Sequence, residues 1–465
     1  MMFLANAMMR RMFRVAVTVL IGLPAARSAT AADTQRTVVM VSVDGLAAFY
    51  RDDPQAEMPT IRALADAGAW GRMKASTPTV TWPNHTTLVT GVKPARHGVV
   101  GNDYYDRDQR RRVALILDPE FDKEQIIKVP TVYDVAKSKG LTTAAVRWPA
   151  SRNAKSLDWQ MPEVGSNELL HKYTTTAIIK ECQAAGVWAD GEPTSSGGRD
   201  LYIVSDETAT RVFKHILHSH RPNLALLHVI HVDHTEHVSG PRSPEAYAAI
   251  RAADEQVREI WELLKRDFAG QATLVIVSDH GFSPIEHTIL PNVTLRDAGL
   301  VEVQDKNVTG GAVHVVVQGG SALVYVLDRP RRAEIVETIK RKFTGSTGIG
   351  KVVGPGQLHD HGVAEPTDDP HAPDMILFAS EGYAFAETAT GTAAMIDESK
   401  RRGTHGHDEN LPNLHATFVA WGAGIKPGTQ LGLFDNTDVA PTIAALLGLS
   451  MGETDGKPLA AALEK

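Results

Sequence analysis

Two hydrophobic rhythms alternate along this chain. Residues 37–43 read Thr-Val-Val-Met-Val-Ser-Val, an unbroken, mostly β-branched run of the kind found in a buried parallel strand. Residues 59–67 then show helical character, opening on Pro59 and stopping at Gly68. The pattern repeats. A Pro-started, Gly-stopped helix is predicted over 130–139, followed by a strand at 142–147. Further strands are predicted at 225–232 and 273–278, on either side of a long amphipathic helix at 244–268. A strand at 416–421 and a helix at 438–447 close the series. Strand and helix in alternation predict an α/β fold, a doubly wound and mostly parallel sheet.

Two stretches break the rhythm. Residues 152–203 are polar and Gly-rich. Residues from about 290 to 400 are predicted to hold two hairpin strands, 313–317 and 322–327, and a helix at 330–343. This second stretch reads as an inserted α+β cap. The expected organisation is a leader over 1–31, a catalytic core over 32–290, the cap over 291–400 and the rest of the core over 401–465.

The leader is read from its own pattern. Arg10, Arg11 and Arg14 precede a short apolar run at 15–23, and Ala29-Thr30-Ala31 fits the small-x-small cleavage rule. That run is about half the roughly 20 residues of a spanning helix, so cleavage near Ala31 is expected rather than a stable membrane anchor. Arg10-Arg11-Met12-Phe13-Arg14 suits the twin-arginine route as well as the general secretory one. Without residues 1–31 the formal charge falls from −7 to −11. Such a chain has no basic footprint for nucleic acid. The one cysteine, Cys182, excludes an intrachain disulfide and a cysteine zinc cluster. The segment that follows it, Gln183-Ala184-Ala185, also lacks the Cys-x-Pro-x-Arg context of sulfatases. An exported chain with a single cysteine suits a bacterial periplasm.

Candidate chemistry gathers where strands are predicted to end. Asp44 follows the first strand. Asp233 follows the strand predicted to reach Val232, with His237 four residues on. Asp279 and His280 follow Ser278, and Gly403-Thr404-His405-Gly406 precedes the 416–421 strand. Ligands of open α/β sheets bind beyond the carboxyl ends of the strands, and a mixture of Asp and His suits zinc or manganese. His228, His231, His234 and His407 read as outer hydrogen-bonding or solvent-facing residues. In Thr79-Val80-Thr81-Trp82-Pro83-Asn84-His85, Pro83 would open a helix running to Thr90. Thr81 would then stand at its N-terminus, where free amides attract a phosphate. A threonine hydroxyl held against a dication there becomes a competent nucleophile, although Thr is also a favoured N-cap. Asn102 could donate to a phosphoryl oxygen or serve only as a turn residue. Lys74 and Arg147 are expected to face solvent.

Taken in order, Val43-Asp44-Gly45, the Thr81–Gly91 block with Pro83, Asn84 and His85, His97-Gly98, Asp233-x-x-x-His237, Asp279-His280-Gly281 and Gly403-x-His405-Gly406 resemble the type I phosphodiesterase/nucleotide pyrophosphatase family of the alkaline phosphatase superfamily. The closing 436–441 segment and Asp455-Gly456 also resemble it. The resemblance implies an alkaline-phosphatase-like fold and two zinc ions. One would be held by Asp233, His237 and His405, the other by Asp44, Thr81, Asp279 and His280. It implies Thr81 as nucleophile, a phosphothreonine hydrolysed by water, Asn102 on the phosphoryl oxygen, and a small phosphodiester or nucleotide as substrate. Trp82, where relatives often carry Phe, would offer a stacking face. His228 stands five residues before Asp233, where nucleotide-hydrolysing relatives are expected to carry a base-stacking Tyr. The competing readings are a phosphomonoesterase or phosphonate hydrolase of the same superfamily, and a metal-dependent binding protein without turnover.

Overall fold

The computed structural model describes residues 36–117, 120–188, 204–392, 394–396 and 401–464. The leader expected over 1–31 and the last part of the 152–203 stretch lie outside them. The central sheet holds eight strands: β1 (Thr37–Val43), β2 (Ala69–Lys74), β3 (Thr143–Val146), β4 (Trp159–Met161), β5 (Leu224–Val229), β6 (Ala272–Val277), β7 (Ala416–Gly422) and β8 (Thr429–Asp435). Their order is β8-β2-β7-β6-β1-β5-β3-β4. β7 runs antiparallel to both β6 and β2, and the other pairings are parallel. The sheet is therefore mixed and mostly parallel, as the alternation of elements predicts.

All seven residues of β1 are buried, because its two faces feed two helical layers. Val39, Val41 and Val43 join Ile216 of the helix Asp206–His220 and Val257 of the helix Pro244–Asp267. Val38 and Met40 join Leu88 of the helix Thr81–Thr90 and Ile443 of the helix Val439–Leu446. Val43 pairs with Val229 and Ser42 with Val277. This register brings the carboxyl ends of β5, β1 and β6 level with one another.

The hairpin expected within the insertion is present. Val313–Gln318 pairs with Ser321–Val326, Gln318 opposite Ser321. Met375–Ala379 and Ile349–Val353 extend it to a four-stranded antiparallel sheet, and the helix Arg332–Phe343 adds Ile335, Ile339 and Phe343 to its apolar side. Among the described residues no helix is long and apolar enough to cross a membrane.

Two differences from the expected boundaries bear on the site. The 225–232 run does not end as one strand: β5 stops at Val229, and His231–Ser239 is a helix. The Asp206 carboxylate accepts the N–H groups of Ile230 (3.1 Å) and His231 (2.9 Å), giving amides at the helix start the acceptor that the helix itself cannot supply. An apolar run alone does not distinguish strand from helix. The helix expected from Pro83 begins two residues earlier, at Thr81, after an extended Val80. Pro83 is tolerated there because first-turn N–H groups lack an intrahelical acceptor.

Candidate active site

Asp44 leaves the end of β1, and Asp279 and His280 leave the end of β6. Asp233 and His237 lie one turn apart on the helix His231–Ser239, and His405 follows the two-residue strand Gly403–Thr404. Their ligand atoms converge. Nε2 of His237 and of His405 are 3.2 Å apart, and Oδ1 of Asp233 lies 3.5 Å from the first and 3.4 Å from the second. Beside them, His280 Nε2 lies 3.1 Å from Asp279 Oδ2 and 3.5 Å from Asp44 Oδ1. His280 stacks on His405 at 3.8 Å between ring centroids, and it can join Asp233 and His405 as well as Asp44 and Asp279 in a ligand group. All six residues expected as Asp or His ligands are thus brought together, in two adjoining sets.

The hydrogen bonds settle which atoms face inward. His237 Nδ1 contacts Gly403 O (3.1 Å), His280 Nδ1 contacts Gly281 O (3.1 Å) and His405 Nδ1 contacts Thr79 O (3.0 Å). A carbonyl only accepts, so each Nδ1 carries the proton and each Nε2 keeps its lone pair. The 3.2 Å pair of Nε2 atoms therefore sets two lone pairs against each other. Asp44 Oδ1, Asp233 Oδ1, Asp279 Oδ2 and His280 Nε2 are buried without a hydrogen-bond partner. Burial, reinforced by each other's charge, holds the Asp44 and Asp279 carboxyls well above the usual range and lifts Asp233 to about 8. Burial pushes the His237 and His280 imidazoles well below their ordinary value and His405 to about 3. Buried acceptors without donors are rare in folded proteins, and cations between them would answer the whole pattern. The residues fit a pair of divalent metals.

A surrounding layer holds these ligands in place. His228 Nε2 lies 2.9 Å from Asp44 Oδ2, and its Nδ1 lies 3.1 Å from Glu163 Oε2 and 3.2 Å from Arg147 O. His228 is fully buried, so it supports Asp44 and forms no part of an open base slot. Arg147 does not face solvent. It is buried and paired to Asp206 at 2.8 Å, so the carboxylate that caps the Asp233 helix is itself fixed. Lys74 is part-exposed, 3.4 Å from Asp435. Of the other histidines, His407 is buried with Nε2 2.8 Å from Tyr383 O, whereas His231 is exposed. Gly45 takes φ +73° and its N–H donates to Asp279 Oδ1 (3.3 Å). A Cβ there would come within 3.2 Å of Asp233 Cα, so glycine lets the end of β1 approach the helix that carries Asp233.

Thr81 is the first residue of its helix and does not cap it, since Val80 occupies that place without a side-chain cap bond. Thr79 O accepts from Gly406 N–H (3.0 Å) as well as from His405, tying the segment before Thr81 to one ligand set. His85 ties it to the other: its Nδ1 lies 2.9 Å from Thr81 O and 3.5 Å from Asp279 Oδ2. Asn102 Oδ1 accepts from Trp82 N–H (2.9 Å), which leaves the Asn102 NH2 as the end available to a ligand beside Thr81. Trp82 departs from expectation. It is 3% exposed within an apolar cluster with Val99, Val100 and Tyr105, so its ring has no open stacking face. Asp206, Glu163 and the contact of His85 with Asp279 carry no local sequence signal, since each joins segments well apart in the chain.

The edge of a mostly parallel α/β sheet thus carries two adjoining Asp/His sets and a threonine at a helix start, and the donor set has the chemistry of a paired divalent-metal site. A profile of the type I phosphodiesterase/nucleotide pyrophosphatase family matches residues 38–408, and the chain belongs to that family. It is 23% identical over 438 residues to a venom phosphodiesterase of Macrovipera lebetinus, covering 91% of this chain and 44% of that one. It is 24% identical over 432 residues to human ectonucleotide pyrophosphatase/phosphodiesterase family member 1, covering 90% of this chain and 40% of the relative. The chain thus spans less than half the length of these two relatives. The solved structure of human ectonucleotide pyrophosphatase/phosphodiesterase 5 shares the fold, with a TM-score of 0.69 at 20% identity over 92% of this chain and all of that one.

Proposed function

We propose that this chain is a two-zinc hydrolase of phosphodiester or nucleotide pyrophosphate bonds that works through a phosphothreonine at Thr81. The observation that carries the reading is the set of buried, partnerless ligand atoms of Asp44, Asp233, Asp279 and His280 beside a helix that opens on Thr81. Asp233, His237 and His405 would hold one zinc; Asp44, Thr81, Asp279 and His280 would hold the other. Bound zinc supplies the positive charge that favours an ionised hydroxyl and offsets the phosphoryl oxygens. Thr81 Oγ1 attacks phosphorus, the bond to the leaving oxygen breaks, and water then cleaves the phosphothreonine, returning the hydroxyl. The Asn102 NH2, turned outward by the Trp82 N–H, donates to a phosphoryl oxygen in both steps. The cap over 291–400 would give room to the second substituent of a diester.

The venom and human relatives are named for phosphodiesters and nucleotide pyrophosphates, so these are the substrates to try first. A leader removed near Ala31 would place the mature protein in the periplasm. The deciding experiment is turnover of bis(p-nitrophenyl) phosphate by chelated and zinc-reloaded protein, with mass spectrometry of the acid-quenched enzyme for phosphate on the peptide containing Thr81. Turnover that survives complete metal removal would overturn the reading.

A further inference from the structure

The Gln318 side chain ends the first strand of the inserted hairpin and is 4% exposed. Its carboxamide grips the backbone on both sides of the Asn102–Asp103 peptide, in the loop that carries Asn102. Oε1 accepts the Asn102 N–H at 2.9 Å, and Nε2 donates to Asp103 O at 3.2 Å. Two bonds from one planar amide, to the Asn102 N–H and the Asp103 carbonyl, hold that two-residue segment at both ends. The Asn102 side chain is then fixed from its other end by the Trp82 N–H. The same hairpin turn also grips the opposite wall of the site. Gly320 N–H donates to His405 O at 2.7 Å, and a Cβ on Gly406, which takes φ +92°, would sit 1.8 Å from Gln318 O. One turn of the inserted sheet therefore sets the distance between the Asn102 loop and the His405 loop.

We propose that Gln318 is a positioning residue for the hydrolytic reaction: it holds Asn102 where its NH2 meets the phosphoryl oxygen, and through it the inserted sheet takes part in transition-state binding. The proposal rests on the function assigned above to Thr81 and Asn102. Hydrogen-bonded positioning of this kind acts on rate because small displacements of a donor forfeit much of its effect.

The test is a double-mutant cycle on the zinc-loaded full chain with bis(p-nitrophenyl) phosphate. Gln318→Met keeps length and removes both hydrogen bonds. Gln318→Glu keeps the acceptor for the Asn102 N–H and serves in the same cycle if the Met variant does not fold. The expected result is a loss of at least tenfold in kcat/KM for Gln318→Met, with a smaller loss for Gln318→Glu and zinc content unchanged. In an Asn102→Ala background the same substitution should cost less than twofold, since the residue it acts through is gone. An equal loss in both backgrounds, which a merely structural role would produce, overturns the proposal. So does an Asn102→Ala variant with parental activity while Thr81→Ala is inactive; that result leaves the hydrolytic reading standing. Parental turnover by Thr81→Ala removes the hydrolytic reading and the positioning role together.

Discussion

Removing the metals should destabilise the fold by an amount that the buried ligand atoms set. Four of those atoms, on Asp44, Asp233, Asp279 and His280, have no hydrogen-bond partner. A buried polar atom left unsatisfied costs about 1–3 kcal/mol, so metal binding should relieve about 4–12 kcal/mol. Unfolding entropy of about 2.1 cal/mol/K per residue, over the unit Ala32–Lys465, converts this to roughly 1 °C per kcal/mol. Chelation is therefore expected to lower Tm by about 4–12 °C in differential scanning fluorimetry, with zinc restoring it. The pH dependence carries a sign. Above pH 6.5 the Asp233 carboxyl, pushed up to about 8, still holds its proton in the metal-free fold, whereas the unfolded carboxyl, with an ordinary value of about 4, does not. Unfolding then releases a proton, and stability falls as pH rises, by up to about 1.4 kcal/mol per pH unit for that group, or about 2 kcal/mol between pH 6.5 and 8. Asp44 and Asp279, also raised, act in the same direction. Below pH 6.5 the depressed His237, His280 and His405 work the other way, because the unfolded imidazoles take up protons that the folded ones refuse. Between about pH 4 and 6.5 the three raised carboxyls and the three depressed imidazoles therefore oppose one another, so metal-free protein should change little there and lose Tm from pH 6.5 toward 8, and zinc-loaded protein should lack that decline. Unchanged melting after elemental analysis confirms metal removal, or a metal-free Tm that climbs between pH 6.5 and 8, would refute the reasoning.

Other substitutions separate the parts of the site. Thr81→Ala should keep its fold and most of its metal yet lose at least about 10³-fold in kcat, since no attacking oxygen remains, while Thr81→Ser retains measurable turnover. Asp206→Ala should cost about 3–5 kcal/mol, because it breaks the buried ion pair with Arg147. It also takes the acceptor from the start of the Asp233 helix, so zinc per chain should fall; Asp206→Asn should be milder in both thermal melts and metal analysis. A p-nitrophenyl diester should exceed p-nitrophenyl phosphate by at least tenfold in kcat/KM, about 1.4 kcal/mol. Arg147 is paired to Asp206, and Arg401 lies on the Nδ1 side of His237, 3.4 Å away, so neither is placed for the extra monoester charge. A reversed preference would favour the monoesterase reading.

Much of this protein is local and therefore legible in one dimension. A β-branched run such as 37–43 has one comfortable conformation in a buried sheet, and a carboxylate placed directly after it must emerge at the sheet edge. Asp44 and the pair Asp279-His280 could accordingly be located before any fold was known, and the hairpin at 313–326 announced itself by two apolar runs around Gly319-Gly320. The Asp233-x-x-x-His237 spacing was equally visible, but its element was not. Ile230 and Val232 extend an apolar run that a strand or a buried helix accommodates equally, and the choice was made by Asp206, whose carboxylate supplies the helix start with an acceptor. Arg147 was misplaced for the same reason, since a charged residue reads as exposed until a buried partner from a distant segment is known. Trp82 looked like a substrate contact by position, and packing turned it into core, whereas His228, read as an outer hydrogen-bonding or solvent-facing residue, supports Asp44. Gln318 had no signal at all, because its two partners lie more than 200 positions away in the chain. Sequence alone named the Asp and His candidates and set Asp44 and the pair Asp279-His280 at strand ends. Only the tertiary structure decided which groups desolvate one another, because burial and hydrogen-bond satisfaction depend on every segment that packs around an atom.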